Sequence, residues 1–448
     1  MKDTLDRIAP PPKPTVPARS WPLLDADFDR RIAPVLDAPD GRLVQSDLDR
    51  AYLFTAERPV PYGRPLATEP GRREHLARFV ASYHRAIETI VGAYPTDRRL
   101  RAILSMPPAL RADLGAHPHP ADTRVHFMRI DALPQPDGSL RILETNANCP
   151  GALVVAGLAA RRWRHHLTTW GERLPEPLDG EDPLWMGRWF LRVAGEETGE
   201  TPDTVALLRH EGGNRLELDL IRAAFEELGV RTVEGDPREV RAAPEGVLVR
   251  GVPLRHAYLK VGLQEFCAMR PDAGHFVGAV RAGELFVQNR QLGRWVGDNK
   301  LCLAVLSDPA FADLFDKDDL ALLSPSVPWS RNAALLTPDL VTTIRRSPAD
   351  YVLKRPLDTR GRGVVVGREI RDGAEWNSAV DLARREGWLV QEYCATPEIE
   401  TETGSGETRG HDLALAAVNG VLSAAFLRSS EEARVNIARS GRLHPLYL

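Results

Sequence analysis

Apolar residues along the chain switch between two periods, and the switches mark its elements. Between positions 74 and 94, Leu76, Phe79, Val80, Tyr83, Ile87, Ile90, Val91 and Tyr94 recur every three or four residues, which predicts an amphipathic helix ended by Gly92 and Pro95. Strand-like patterns follow at 124–132 and 139–146, joined by LPQPDGSL with Asp137-Gly138 at the tip of a hairpin. After Pro150 an apolar helix runs into ARRWRHHL. Residues 204–210 (TVALLRH) read as a buried strand, followed by a Gly-Gly turn, a helix over 216–228 and a strand over 230–233. Such a strand–helix–strand unit implies a small parallel sheet, and short strands at 246–250 and 257–261 are expected to extend it.

From Asn299 the pattern changes to an apolar helix (LCLAVL), a loop (LLSPSVPWS) and a strand at 351–354. A glycine-bearing turn, strands at 364–366 and 388–393 and a polar loop (TETGSGETRG) come next, and strands near 413–418 and 421–428 close the chain. The first 22 residues are proline-rich and read as an extended arm. Acidic and turn residues near 180–183 and 196–202 suggest a boundary. The expected organisation is mixed α/β in three parts: a helical region with the hairpin (1–198), a small parallel-sheet domain (199–298) and a last part (299–448).

Composition narrows the function classes. A chain of 448 residues is too long for one ordinary core. Its net charge of −4 argues against a general polyanion binder, so no nucleic-acid partner is expected. Cys149, Cys267, Cys302 and Cys394 lack CxxC spacing, against a disulfide framework or a zinc ribbon. The longest apolar stretch, 151–160, is half the ~20 residues that span a bilayer, and the N-terminus has no apolar signal core; a cytoplasmic protein without a membrane partner is expected. Only six of the 58 basic residues are lysine. Arginine cannot imitate a compact ammonium at a phosphate, so each lysine merits inspection.

The hairpin, FMRIDALPQPDGSLRILETNANCPG, carries the strongest local signal. Side chains alternate across a strand, so Arg129 and Asp131 share one face, and so do Glu144 and Asn146. A two-residue turn at Asp137-Gly138 pairs Arg129 with Asn146 and Asp131 with Glu144, whereas a turn centred one residue earlier pairs Arg129 with Glu144. In both registers the four polar groups converge while Met128, Ile130 and Leu143 point away; only a bulge would break this. Two carboxylates and an amide oxygen suit Mg2+, and an adjacent arginine suits phosphate oxygens. A surface salt-bridge ladder is the alternative, although NANCPGAL leads straight into an apolar helix.

Three further segments stand out. In YVLKRPLDTRGRGVVVG, Lys354 ends an apolar strand, where a lysine is costly unless it meets an anion. Asp358 follows, then Thr359, Gly361 and Gly363 in a turn whose backbone N–H groups could approach phosphate oxygens; a plain β-hairpin is the alternative. In WLVQEYC, Gln391, Glu392 and Tyr393 end an apolar strand where an adenine could hydrogen-bond, or the strand is an ordinary buried one. Near the end, Arg428, Ser429 and Ser430 after a strand suit a substrate carboxylate, or form a solvated loop.

In this order the pieces resemble a circularly permuted ATP-grasp ligase, with the glutathionylspermidine synthetase domain and the eukaryotic-type glutathione synthetase as the nearest families. The resemblance covers the chain from about Arg124 onward and lies in the order of motifs more than in any one of them. It implies an ATP-grasp fold, circularly permuted, with a small parallel-sheet substrate domain inserted. It further implies ATP and two Mg2+ ions. Glu144 and Asn146 would ligate metal, Asp131 would hold the second ion or its waters, and Asp358 would be a third acidic ligand. Arg129 would contact the transferring phosphoryl group, Lys300 and Lys354 the nucleotide, Gln391 to Tyr393 the adenine, and Arg428 a substrate carboxylate. The chain departs from the glutathione synthetases in having Asp358 where they have glutamate, and TRGRG where they have adjacent glycines, which makes this loop stiffer and more cationic.

The implied activity joins a small-molecule acid to an amine, both amino-acid or short-peptide-like, through an acyl phosphate. A small-molecule kinase on the same fold and a non-catalytic nucleotide-binding relative are the alternatives. A metal hydrolase built on His117 and His119 or on His165 and His166 is weaker, since neither pair has spacing to further ligands. The sequence is silent on the oligomeric state.

Overall fold

The computed structural model describes residues 24–51, 61–111, 113–114, 120–135, 137–210, 215–244, 246–359, 361–400, 406–432 and 441–448. The proline-rich arm, His117 and His119, the Gly-Gly turn, Arg360 and residues 401–405 lie outside this set.

The largest sheet has seven strands, ordered Leu66–Ala67, Arg442–Tyr447, Val421–Ser430, Thr408–Val418, Phe127–Pro134 and Leu140–Asn146, with Glu398–Glu400 also on Thr408–Val418. The hairpin from early in the chain thereby docks on strands from its end, with Asp131 opposite Ala414 and Arg129 opposite Ala416. Both faces are covered, which explains why LALAAV is continuously apolar. Leu413, Leu415, Met128 and Ile130 join one core with Phe79, Val80, Tyr83 and Ile87 of the helix Arg72–Ala93. Ala414, Ala416, Phe127 and Phe426 join the opposite core with the helices Leu153–Thr169 and Trp185–Thr198. Each large apolar side chain buried this way contributes about 1.5–3 kcal/mol.

The parallel sheet runs Phe286–Val287, His256–Lys260, Thr204–Arg209, Arg231–Gly235. The expected strand at 246–250 does not extend it. Gly246–Val249 instead forms a three-stranded antiparallel sheet with Val240–Ala243 and Val252–Pro253. Arg250 and Gly251 both take positive φ, +51° and +77°, giving a two-residue turn that folds the strand onto its own successor.

A third sheet is antiparallel, ordered Ser330–Asn332, Leu389–Glu392, Tyr351–Lys354, Val364–Val366. Two helices absent from the sequence reading, Pro338–Arg346 and Gly373–Glu386, cover one face through Ile344, Trp376, Val380 and Ala383 against Tyr351, Leu353 and Val390. Val352, Lys354 and Gln391 alternate to the other face, toward the hairpin. None of the four cysteines forms a disulfide, and no described helix is long and apolar enough to cross a membrane.

Candidate functional site

The hairpin pairs Arg129 with Asn146 and Asp131 with Glu144. A bulge does occur, one step toward the turn, between Asp131 and Ala132, so it leaves those pairs in register. It does correct one expectation: Ile142, not Leu143, takes the buried core position, and Leu143 is only half-buried. The carbonyl of Leu143 accepts a hydrogen bond from Lys354 Nζ at 3.0 Å.

The exit turn of the hairpin is fixed from the segment that leads to Lys300. Asp298 Oδ1 accepts from the backbone N–H groups of Ala147 (2.6 Å) and Asn148 (2.9 Å). The buried Arg294 donates to the carbonyls of Asn148 and Gln288, both at 2.7 Å. Asn289, at φ +49°, bridges the carbonyls of Phe127 and Ala147. These bonds hold Glu144 and Asn146 on a rigid strand end, the condition for precise placement of ligands.

Asp131 is 1% exposed and carries both arginines. Arg129 donates Nε to Oδ1 (2.7 Å) and Nη2 to Oδ2 (2.8 Å), and Arg428 donates Nη2 to Oδ2 (2.9 Å). Asn146 Nδ2 adds a bond to Oδ2 at 3.2 Å. Burial alone would raise this carboxyl, but the two guanidinium groups outweigh it and hold it well below the usual carboxylate range. The expected metal role of Asp131 thus meets a carboxylate whose oxygens are already taken.

Glu144 faces the lysines. Its Oε2 pairs with Lys300 Nζ at 3.1 Å, and Lys300 also donates to the carbonyl of Asp358 at 2.6 Å. Burial would lower the Lys300 ammonium, but Glu144 and Asp298 outweigh that and raise it. Among the described residues Lys354 has only neutral acceptors, the Leu143 carbonyl and Gln391 Oε1 at 2.7 Å, and burial pulls it down to about 8. The Asp358 carboxylate turns elsewhere, accepting from Gln264 Nε2 (3.2 Å) and the Thr359 N–H (3.1 Å).

Whether a divalent ion fits is decided by what remains free. Asn146 Oδ1 and Glu144 Oε1 have no partner among the described residues, and both are hard oxygens two residues apart on one strand face. No three described His, Cys, Asp or Glu side chains cluster to hold a metal by themselves. The protein thus offers two free oxygens to a cation that would have to bring its other ligands with it, as Mg2+ does on a triphosphate.

The other expected contacts are distributed differently. Gln391 is buried, with its amide spent on Lys354 and Ser330 Oγ. The N–H groups of Glu392 and Tyr393 are taken by the carbonyls of Trp329 and Asp350. The Tyr393 ring lies under Arg368 at 3.5 Å. Gly361 and Gly363 take φ of +68° and +66°, so the turn is a glycine-dependent hairpin in which the Gly363 carbonyl accepts from the Arg355 N–H. Arg428, Ser429 and Ser430 lie inside the strand Val421–Ser430 rather than after it. Alternation therefore sends Ser429 to the opposite face, where its hydroxyl bonds His444 Nε2 at 2.8 Å. Sequence reasoning missed Asp412, directly opposite Arg428; the available signal was a charge inside the apolar run HDLALAAV.

The fold matches a solved structure of a glutathione synthetase-like effector (GSS30) from Globodera pallida in its apo form, with a TM-score of 0.59 and 13% identity. The match covers 93% of this chain and 99% of that one. The fold is ATP-grasp-like. D-alanyl-alanine synthetase A from Vibrio cholerae also aligns, over 52% of this chain and 68% of that one, at a TM-score of 0.28 and 13% identity. No family model matches the sequence, and no curated protein matches it.

Proposed function

We propose that the chain is an ATP-dependent carboxylate–amine ligase on a circularly permuted ATP-grasp fold. One observation carries this reading: the two buried lysines that follow the hairpin in sequence both return to it, Lys300 to Glu144 and Lys354 to the Leu143 carbonyl. Cations with few anionic partners beside two free oxygens make a site for a nucleotide and its ion. Glu144 and Asn146 would hold Mg2+, which when bound neutralises phosphate charge; the set offers no obvious place for Asp131 or the Asp358 carboxylate around the same ion. Thr359, Gly361 and Gly363 would cover the phosphates, and residues from Gln391 to Tyr393 would border the adenine by side chain rather than by backbone N–H.

In the proposed reaction a substrate carboxylate oxygen attacks the γ-phosphorus of ATP, the bond to ADP breaks, and an acyl phosphate forms. An amine then adds to the acyl carbon, loses a proton, and phosphate departs with the bonding electrons. The chain's own part is positioning and charge neutralisation. Lys354 and Lys300 hold the nucleotide, and Arg129 and Arg428 meet the transferring phosphoryl and the carboxylate. A panel of amino acids and short peptides, as acids and amines, tests this by ADP release. Hydroxylamine must trap a hydroxamate; a phosphorylated alcohol in its place makes the chain a kinase, and no ADP release with any pair makes it a non-catalytic relative.

A further inference from the structure

Asp412 lies on a middle strand of the large sheet at 2% exposure, flanked by the buried His411 and Leu413. An ionised carboxylate there is costly unless it is fully paired. Its partner is Arg428, directly opposite in register, which donates Nε to Oδ1 (2.9 Å) and Nη2 to Oδ2 (2.6 Å). That side-on grip fixes the guanidinium plane. Nη2 also reaches Asp131, so two of the three guanidinium nitrogens are consumed by the protein. Nη1 makes no hydrogen bond to any described residue. Arg129 differs in this respect: its Nε and Nη2 hold Asp131 and its Nη1 donates to the Gly151 carbonyl at 2.6 Å. Of the two arginines that meet at Asp131, only Arg428 keeps a whole guanidinium nitrogen that bonds no described residue.

We infer that Asp412 is a positioning residue, which grips Arg428 by one edge so that Nη1 is left to bind the anionic group of the reacting substrate. This rests on the ligase reading for the identity of that group, but the grip itself does not. The other arrangement of the same residues, with Arg428 swung toward Asp131 alone, would leave the Asp412 carboxylate buried and without a hydrogen-bonded cation, since the other arginine of its strand, Arg409, pairs with Glu431.

The test uses the full chain loaded with ADP and Mg2+, with orthophosphate as the anion probe, followed by calorimetry. D412N keeps the shape of the side chain but turns an amide donor toward one edge of the guanidinium. The expected result is phosphate binding weakened roughly tenfold or more, the size that follows from losing one charge-assisted hydrogen bond. Binding of a fluorescent ATP analogue stays unchanged. In an R428M background D412N adds nothing further, because a residue that acts through Arg428 has nothing left to act on. Equal phosphate affinity in D412N and wild type overturns the inference, and so does an equal loss in both backgrounds. Should D412N not fold, 15N spectra of the wild-type arginine side chains decide: phosphate must shift the Arg428 Nη group and leave its Nε–H in place. A phosphate-induced loss of the Nε–H bond means that the anion displaces Asp412, which also overturns it. Failure of the ligase reading is separate and visible as no ADP release with any acid, whatever D412N does to phosphate.

Discussion

Arg129 and Arg428 on the large sheet, and Lys300 and Lys354 across from them, bring the same formal charge to one hairpin under different chemical conditions. The arginines are matched by Asp131 and Asp412 in a closed set of four alternating charges. Burial pushes the Asp412 carboxyl up, against the pull of Arg428, and the Arg428 guanidinium is raised despite its burial by Asp131 and Asp412. Their geometry is set before any ligand arrives. The lysines are only half matched: Glu144 serves Lys300, and no described carboxylate is in hydrogen-bond contact with Lys354. A planar, always-charged guanidinium suits the first role, and a compact ammonium whose proton is easily lost suits the second. The difference separates a preformed anvil from a region whose charge balance the proposed nucleotide would complete.

Breaking the closed set should have the largest effect. Asp131→Ala leaves two buried guanidinium groups short of a partner and is expected to cost about 3–5 kcal/mol of stability, read as a lowered midpoint in thermal or urea unfolding. Removing a lysine's only carboxylate should instead spare the fold. Glu144→Ala is expected to cut ADP release by about two orders of magnitude or more, with an unfolding midpoint close to wild type. Near-normal turnover in that folded variant removes Glu144 from the site. Lys354→Met is expected to raise the Michaelis constant for ATP by about tenfold, and to raise that for the acid less, which steady-state kinetics with each substrate varied in turn will show. The reverse order moves Lys354 to the acid.

The smallest effect is the one most specific to the lysine side. In the free chain Lys354 loses its proton near pH 8 because burial disfavours the ammonium. Phosphate anions favour that ammonium, so the bound state holds the proton to higher pH. Nucleotide affinity should therefore be flat below about pH 8 and fall above it by up to about tenfold per pH unit. Titration with a fluorescent ATP analogue measures this, and Lys354→Met should give weak binding without the alkaline fall.

Much of the core was legible because period and burial agree. The strands at 351–354 and 364–366 match the observed Tyr351–Lys354 and Val364–Val366, where β-branched residues are packed between defined turns. Alternation alone put Arg129, Asp131, Glu144 and Asn146 on one face but left two registers open, and neither the register nor the bulge beyond it leaves a mark on composition. Helix Gly373–Glu386 was missed although its apolar face is clear once Trp376, Val380 and Ala383 are seen together; polar residues fill the positions between them. Contacts between distant segments were the least legible. Nothing local to Asp412 announces Arg428, and nothing in WLVQEYC says that Gln391 will accept a hydrogen bond from Lys354. Those pairings come from sheet topology, which brings residues together that are far apart along the chain.

The most direct test of the proposed shared nucleotide and metal site is an electron paramagnetic resonance titration with Mn2+, on the full chain, with and without a non-hydrolysable ATP analogue. Because Lys300 holds Glu144 Oε2 and the arginines hold Asp131, leaving Glu144 Oε1 and Asn146 Oδ1 for the ion, Mn2+ should bind only when the analogue is present, and Glu144→Ala should abolish that binding. Tight Mn2+ binding without nucleotide, or binding with nucleotide that survives Glu144→Ala, would show that the ion sits elsewhere.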